Sequence, residues 1–153
     1  TVLASFASTF INKIDSKGRL SVPAGFRAAL GDQGFHGIIV YPSFDLPTLE
    51  AGGMERVDEL MAQADALEEY SPEYRALTSL LADIVQLPFD SEGRIILPQP
   101  LLEHAGISEH AAFAGRGHTF EIWDPAQLQR HQEEMRRYAR ENHLRLPPRR
   151  VSK

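Results

Sequence analysis

Asp15-Ser16-Lys17-Gly18-Arg19-Leu20-Ser21-Val22-Pro23 recurs 75 residues later as Asp90-Ser91-Glu92-Gly93-Arg94-Ile95-Ile96-Leu97-Pro98. Asp, Ser, Gly, Arg and Pro are identical in the two stretches, and the residues before them, Ile14 and Phe89, are both apolar. The match extends to a second glycine, because Leu30-Gly31 and Ala105-Gly106 follow the two prolines at the same distance. A D-S-x-G-R-x-x-x-P frame repeated in this way establishes an internal duplication.

Each copy reads as one supersecondary unit. An Asp side chain can accept backbone N–H bonds and Gly supplies positive φ, so Asp-Ser-x-Gly between apolar flanks fits a hairpin turn. After the Arg, Leu20–Val22 and Ile95–Leu97 read as short strands ended by proline. Pro23 and Pro98 then start short helices that Gly31 and Gly106 close. Two strand candidates follow in each half, Gly37–Tyr41 with Phe44–Leu46, and Ala111–Ala114 with Thr119–Trp123. A unit of roughly 45 residues is too small to bury a core alone, so the two copies are expected to intertwine.

Helices fill the remainder. Met54, Val57, Leu60, Met61, Ala64 and Leu67 recur at helical spacing. Ser71-Pro72 is an N-cap and N1 pair ahead of Tyr74, Leu77, Leu80, Leu81 and Ile84. Asp124-Pro125-Ala126-Gln127 caps a third helix, with Leu128, Met135 and Tyr138 on its apolar side. Pro147-Pro148 ends regular structure, and Arg149 to Lys153 read as a loose tail. The expected organisation is a first unit over 6–53, connecting helices over 54–83, a second unit over 84–127, and a C-terminal helix and tail over 128–153.

Composition sets the class. The chain has 153 residues, 42% hydrophobic and 24% charged, close to the globular average. The absence of cysteine removes disulfides, thiolate nucleophiles and Cys-type zinc sites. No apolar run approaches the roughly 18–20 residues that span a bilayer, and no leader opens the chain, so a cytoplasmic protein is expected. The net charge of −5 hides a segregation. Residues 1–30 carry Lys13, Lys17, Arg19 and Arg27 against Asp15 alone, whereas residues 50–83 carry nine acids against Arg56 and Arg75. Residues 125–153 carry eight bases against three glutamates. Charge is felt over only about 8 Å at physiological salt, so an acidic chain can still offer a basic surface.

Enzyme chemistry finds no foothold. His36, His104, His110, His118, His131 and His143 follow no metal-ligand spacing. Gly115-Arg116-Gly117 lacks the Lys-Ser/Thr of a phosphate loop and reads as a turn between strands. Neither G-x-S-x-G nor Ser-x-x-Lys occurs. Asp15 and Asp90 are each followed at i+4 by an Arg that would keep them ionised and structural. No enzyme activity, cofactor, metal or small-molecule substrate is expected.

The stretch Asp15 to Arg27, echoed by Asp90-Ser91-Glu92-Gly93-Arg94, resembles the MraZ family, bacterial transcription regulators with two SpoVT/AbrB-type units in one chain. Phe120-Glu121-Ile122-Trp123-Asp124-Pro125 is similar to that family's second-half ending, and the resemblance spans roughly Phe6 to Arg140. One departure is Ser8, where the family usually has Gly. The resemblance implies an α+β fold, a tandem-repeat swapped-hairpin β-barrel of AbrB-like type with added helices. It also implies ring-like homo-oligomers and a nucleoid-associated regulator. Its target would be double-stranded DNA at promoter repeats upstream of the division and cell-wall gene cluster. In the AbrB relatives, basic residues beside the hairpin and in the short helix meet DNA; the matching positions are Lys13, Arg19 and Arg27.

The residue chemistry is compatible with that implication. Arg reads guanine bidentately or clamps phosphate, and Lys neutralises phosphate as a mobile point charge. Lys17 joins Lys13, Arg19 and Arg27 as a DNA-binding candidate, with Arg94 as the second-copy counterpart of Arg19. Each Arg has a competing use as ion-pair partner of its own Asp. Asp15, Gly18, Asp90 and Gly93 are the turn-forming residues. The copies are unequal, since Lys13 becomes Pro88, Lys17 becomes Glu92 and Arg27 becomes Leu102. The first turn is therefore expected to supply most DNA affinity. Some of the apolar residues on several helix faces, such as Met54, Met61, Leu80 and Met135, are expected to be buried between subunits. An AbrB-type antitoxin and a protein-interaction adaptor using the acidic 50–83 region are the competing functions.

Overall fold

A computed structural model describes residues 5–149, and in it each half of the chain runs strand, turn, strand, short helix, hairpin. The first half comprises β1 (Thr9–Lys13), β2 (Arg19–Ser21), α1 (Ala24–Leu30), β3 (Gly37–Pro42) and β4 (Leu49–Gly52). Two helices follow, α2 (Glu55–Asp65) and α3 (Pro72–Asp83). The second half repeats the order with β5 (Val85–Pro88), β6 (Arg94–Ile96), α4 (Gln99–Ala105), β7 (His110–Gly115) and β8 (Phe120–Trp123), before α5 (Pro125–Glu141).

The halves interlock by exchanging first strands. β1 pairs antiparallel with β7, and β5 with β3, while the hairpins β3–β4 and β7–β8 join side by side through β4 and β8. The result is a six-stranded sheet in the order β1-β7-β8-β4-β3-β5. β2 and β6 leave this sheet and pair with each other. One apolar core draws on both copies, with Phe6, Leu20, Val22 and Phe26 from the first meeting Ile95, Leu97, Phe113 and Phe120 from the second. The Phe26 ring lies 5.3 Å from that of Phe6 and 4.9 Å from that of Phe120.

The expected α+β class holds. Strand pairing does not describe a closed barrel, because β1 and β5 occupy the two edges of the sheet and, among the described residues, do not pair with each other. The turns after β1 and β5 carry the chain out of the sheet into the β2–β6 ladder.

The caps form as the sequence predicts. Ser71 Oγ accepts the Tyr74 N–H at 3.1 Å and Asp124 Oδ2 accepts the Gln127 N–H at 3.1 Å, each followed by proline. α2 and α3 pack on the outer face of β3 as a second cluster of Ile39, Tyr41, Leu60 and Leu80. Arg56 fastens that cluster, its Nε donating to the Tyr41 hydroxyl at 2.9 Å while that hydroxyl donates to Glu50 at 3.1 Å. Burial pushes the Tyr41 hydroxyl up to about 12, so it stays a donor. No helix among the described residues is long and apolar enough to cross a membrane.

Two expectations need correction. Phe44–Leu46 is not a strand. Ser43 N–H donates to Thr48 O and Thr48 N–H to Leu46 O, which folds the segment into a loop, leaves Phe44 65% exposed and starts β4 at Leu49. Leu80 is buried within the chain and so is not free for a subunit contact, and Met54 packs partly buried on the same cluster; Met61 and Met135 remain 50% and 46% exposed. Of the predicted tail, residues 150–153 lie outside the described residues.

Ser8, the departure from the family's usual Gly, sits at φ 77°, a left-handed conformation that glycine favours. Its carbonyl accepts the Gly115 N–H at 2.9 Å, which holds the chain there. Ser8→Gly is expected to raise stability by about 0.5–1 kcal/mol, because relief of the left-handed strain outweighs the added chain entropy. Urea denaturation reads this as a higher midpoint at unchanged slope; an unchanged midpoint would show that the position carries no strain.

Candidate nucleic-acid interface

The two repeated turns have the same internal geometry. In the first, Asp15 Oδ1 accepts the backbone N–H groups of Lys17 at 2.9 Å and Arg19 at 2.8 Å, and Asp15 Oδ2 receives the Arg19 Nε at 2.6 Å. In the second, Asp90 Oδ1 accepts from Glu92 and Arg94, each at 2.9 Å, and Oδ2 receives the Arg94 Nε at 2.8 Å. Gly18 at φ 80° and Gly93 at φ 76° make both reversals possible, since a side chain there would be strained. These donors explain why both carboxyls lie below the usual carboxylate range. The leading cause is the backbone N–H of Arg19 for Asp15 and that of Arg94 for Asp90.

The β2–β6 ladder brings the turns together. Leu20 faces Ile95 at its centre, both buried, while Arg19 pairs with Ile96 and Ser21 with Arg94. The period-two alternation then puts Arg19, Ser21, Arg94 and Ile96 on the outer face. Arg94 Nη1 reaches Asp15 Oδ2 at 3.9 Å, so the second arginine touches the first turn's carboxylate. Arg27 crosses in the other direction. Its Nε donates to Val22 O at 3.1 Å, and a Cβ added to Gly93 would fall 2.6 Å from its guanidinium. Arg27 is therefore part of the packing of the second turn, a use that helical position alone did not indicate.

Of the predicted residues, Asp15, Arg19, Asp90, Arg94, Arg27 and Gly93 are gathered at this ladder. Lys13, at the end of β1 opposite His110, and Lys17, within the turn, are exposed. Among the described residues, neither lysine side chain has an ion-pair partner. Both arginines take the competing ion pair with their own Asp, a use that the i, i+4 spacing made legible. Sequence reading missed two features. A groove of about 490 Å³ has Arg19, Asp90 and Arg94 as its polar wall and Leu87, Pro88, Phe89 and Ile96 as its apolar one. Glu92, 67% exposed, pairs with Arg94 Nη2 at 3.1 Å. The exposed Ile96 beside buried Ile95 was the available signal for the groove.

Fold and site define a class: one α+β unit present twice in a single chain, its copies completing each other's sheet and presenting two Asp–Arg turns on a shared ladder. Residues 80–145 match the family described as "MraZ protein, putative antitoxin-like". Curated relatives named "Transcriptional regulator MraZ" extend the match over nearly the whole chain. The Rickettsia akari protein is 42% identical over 142 residues, covering 92% of this chain and 95% of that protein. Those of Rickettsia rickettsii and Rickettsia bellii are 43% and 44% identical at the same coverage. The chain belongs to the MraZ family.

The depressed carboxyls carry a pH consequence. A group whose folded pKa lies below its unfolded one stabilises the fold above the unfolded value and loses that contribution as pH falls through the folded value. Asp15 and Asp90 are thus expected to support the turns at neutral pH and to release them below about pH 4. A double Asp15→Asn, Asp90→Asn variant should melt lower at neutral pH and lose less on acidification. Parallel melting curves for both proteins from about pH 6 to pH 2.5 would contradict this.

Proposed function

We propose that this protein is a sequence-specific DNA-binding transcriptional regulator, cytoplasmic and nucleoid-associated, with no enzymatic activity. In this reading it binds double-stranded DNA at repeated elements upstream of the division and cell-wall gene cluster, its own gene included, as a ring-like homo-oligomer. The observation that carries the reading is the first turn, where Lys13, Lys17 and Arg19 surround a backbone that Asp15 locks. The turn opens into the two-stranded β2–β6 ladder, an element of a size that fits the major groove, about 12 Å wide, and the locked backbone spares the entropy of ordering a loop on binding. The relatives' name, transcriptional regulator, supports the same function.

The finer architecture belongs to this reading. The exchanged strands β1 and β5 support two SpoVT/AbrB-type units, 6–53 and 84–127, that complete each other in an AbrB-like swapped-hairpin arrangement, with 54–83 as connecting helices and 128–153 as C-terminal helix and tail. Exposed Met61 and Met135 support contacts between protomers, and several protomers in a ring multiply effective concentration on repeated DNA.

An electrophoretic shift with the DNA upstream of the chain's own gene tests the function. Affinity is expected to fall with salt at a slope of about −0.9 per phosphate contacted. Lys17→Ala should weaken binding with an unchanged melting temperature. Arg19→Ala and Arg27→Ala should weaken binding and also lower the melting temperature, since Arg19 closes its turn and Arg27 packs on Gly93. Arg94→Ala should cost less affinity than Arg19→Ala. Equal affinity losses for those two would mean that both turns read DNA alike, and binding indifferent to salt would remove the electrostatic basis. Co-purification of a small toxin would favour the antitoxin alternative instead.

A further inference from the structure

The second turn differs from the first in what surrounds its arginine. All three nitrogens of the Arg94 guanidinium face carboxylates: Nε meets Asp90 at 2.8 Å, Nη2 meets Glu92 at 3.1 Å and Nη1 meets Asp15 at 3.9 Å. Accordingly, Arg94 is held charged even more firmly than usual, chiefly by its hydrogen bond to Asp90. Arg19 has one carboxylate partner, Asp15, among the described residues, and the position matching Glu92 in its own turn is Lys17.

The three carboxylates are not equivalent. Asp15 and Asp90 are each fastened by two backbone N–H groups, so they belong to the turns. For Glu92 the structure shows its backbone N–H bound to Asp90 and its side chain bound, among the described residues, to Arg94 alone. It is 67% exposed, against 35% for Asp90. A carboxylate there occupies the terminal guanidinium edge that a phosphate oxygen would use, and it can swing away without disturbing the turn. Resting on the reading that these turns meet DNA, we infer that Glu92 is an intramolecular competitor for phosphate. It masks Arg94 in the free protein, and DNA engages Arg94 only by displacing it. Glu92 is thus a specificity-determining residue, which lowers affinity for any DNA backbone and leaves discrimination to contacts strong enough to open the second turn.

The experiment compares wild type, Glu92→Gln, Arg94→Ala and the double variant on the upstream DNA and on a random duplex of equal length. Glu92→Gln is expected to tighten binding to both duplexes by about two- to fivefold, the range open to an exposed ion pair. The proportional gain should be larger on the random duplex, narrowing the preference for the upstream DNA. Glu92→Gln should also steepen the salt slope by up to about 0.9 per protomer, as one more phosphate is neutralised. In the Arg94→Ala background the gain should shrink towards nothing, which separates masking of Arg94 from general repulsion between Glu92 and DNA. Melting temperatures should stay within about a degree of their parents, since the substituted side chain is exposed. Unchanged or weaker binding by Glu92→Gln, or a gain that persists undiminished without Arg94, overturns the inference. Wild type that binds while Lys17→Ala does not shows that the parent reading survives either outcome. Absence of DNA binding by both wild type and Glu92→Gln removes the parent reading and this inference with it.

Discussion

Neither copy of the repeated unit can close its own core, and the rest of the structure depends on that constraint. Leu20 and Ile95 face each other at the middle of the β2–β6 ladder, one from each copy, and both are almost completely buried. Phe26 of the first helix packs on Phe120 of the last strand, and β1 finds its strand partner in β7 of the other copy. A unit of some 45 residues buries too little apolar surface to offset its chain entropy, so exchange between the copies is a condition of folding. The same exchange fixes the site, because it brings Arg94 within reach of Asp15 and lays Arg27 over Gly93.

The turns are rigid for electrostatic reasons that cost little surface. Each Asp accepts two backbone N–H groups and an arginine Nε, so one side chain satisfies the donors that a tight reversal leaves unpaired. The lysine side chains are absent from this network. The Lys13 and Lys17 side chains therefore project charge from a fixed backbone without being needed to hold it, and that division of labour lets the charge at Lys17 be altered without dismantling the turn.

Sequence reading located the turns, the ladder strands to within a residue and the helix caps, because each depends on local chemistry: Asp and Gly in the reversal, proline after the strand, Ser71 and Asp124 at helix starts. It misplaced β4. Leu49-Glu50-Ala51-Gly52 looks like loop composition, and what makes it a strand is non-local: pairing to β3 and β8, with Glu50 accepting from the Tyr41 hydroxyl and paired with Arg56. Its counterpart β8, Phe-Glu-Ile-Trp, was legible because aromatic residues advertise burial. The fate of the methionines was not legible either, since helical spacing marks Met54 and Met61 alike and only the packing of α2 on α3 and β3 separates them. At the site, the pairing of Arg with Asp could be read from an i, i+4 spacing, whereas the masking of Arg94 by Glu92 depends on where two flexible side chains settle.

Carrying both copies in one chain has a physical consequence that a dimer of single units could not achieve. In a symmetric dimer every turn has the same sequence, so a change that tunes one tunes both, and an acid introduced opposite phosphate would penalise every contact. Covalent fusion removes that symmetry. Asp15, Gly18 and Arg19 keep their counterparts Asp90, Gly93 and Arg94, because both reversals must form for the ladder to close. Lys13 and Lys17, whose side chains the reversals do not use, become Pro88 and Glu92, while Arg27, which packs over Gly93, becomes Leu102. The positions that stayed the same are those that close each reversal, and at Lys13 and Lys17 divergence alters the charge each turn carries without touching the bonds that close it.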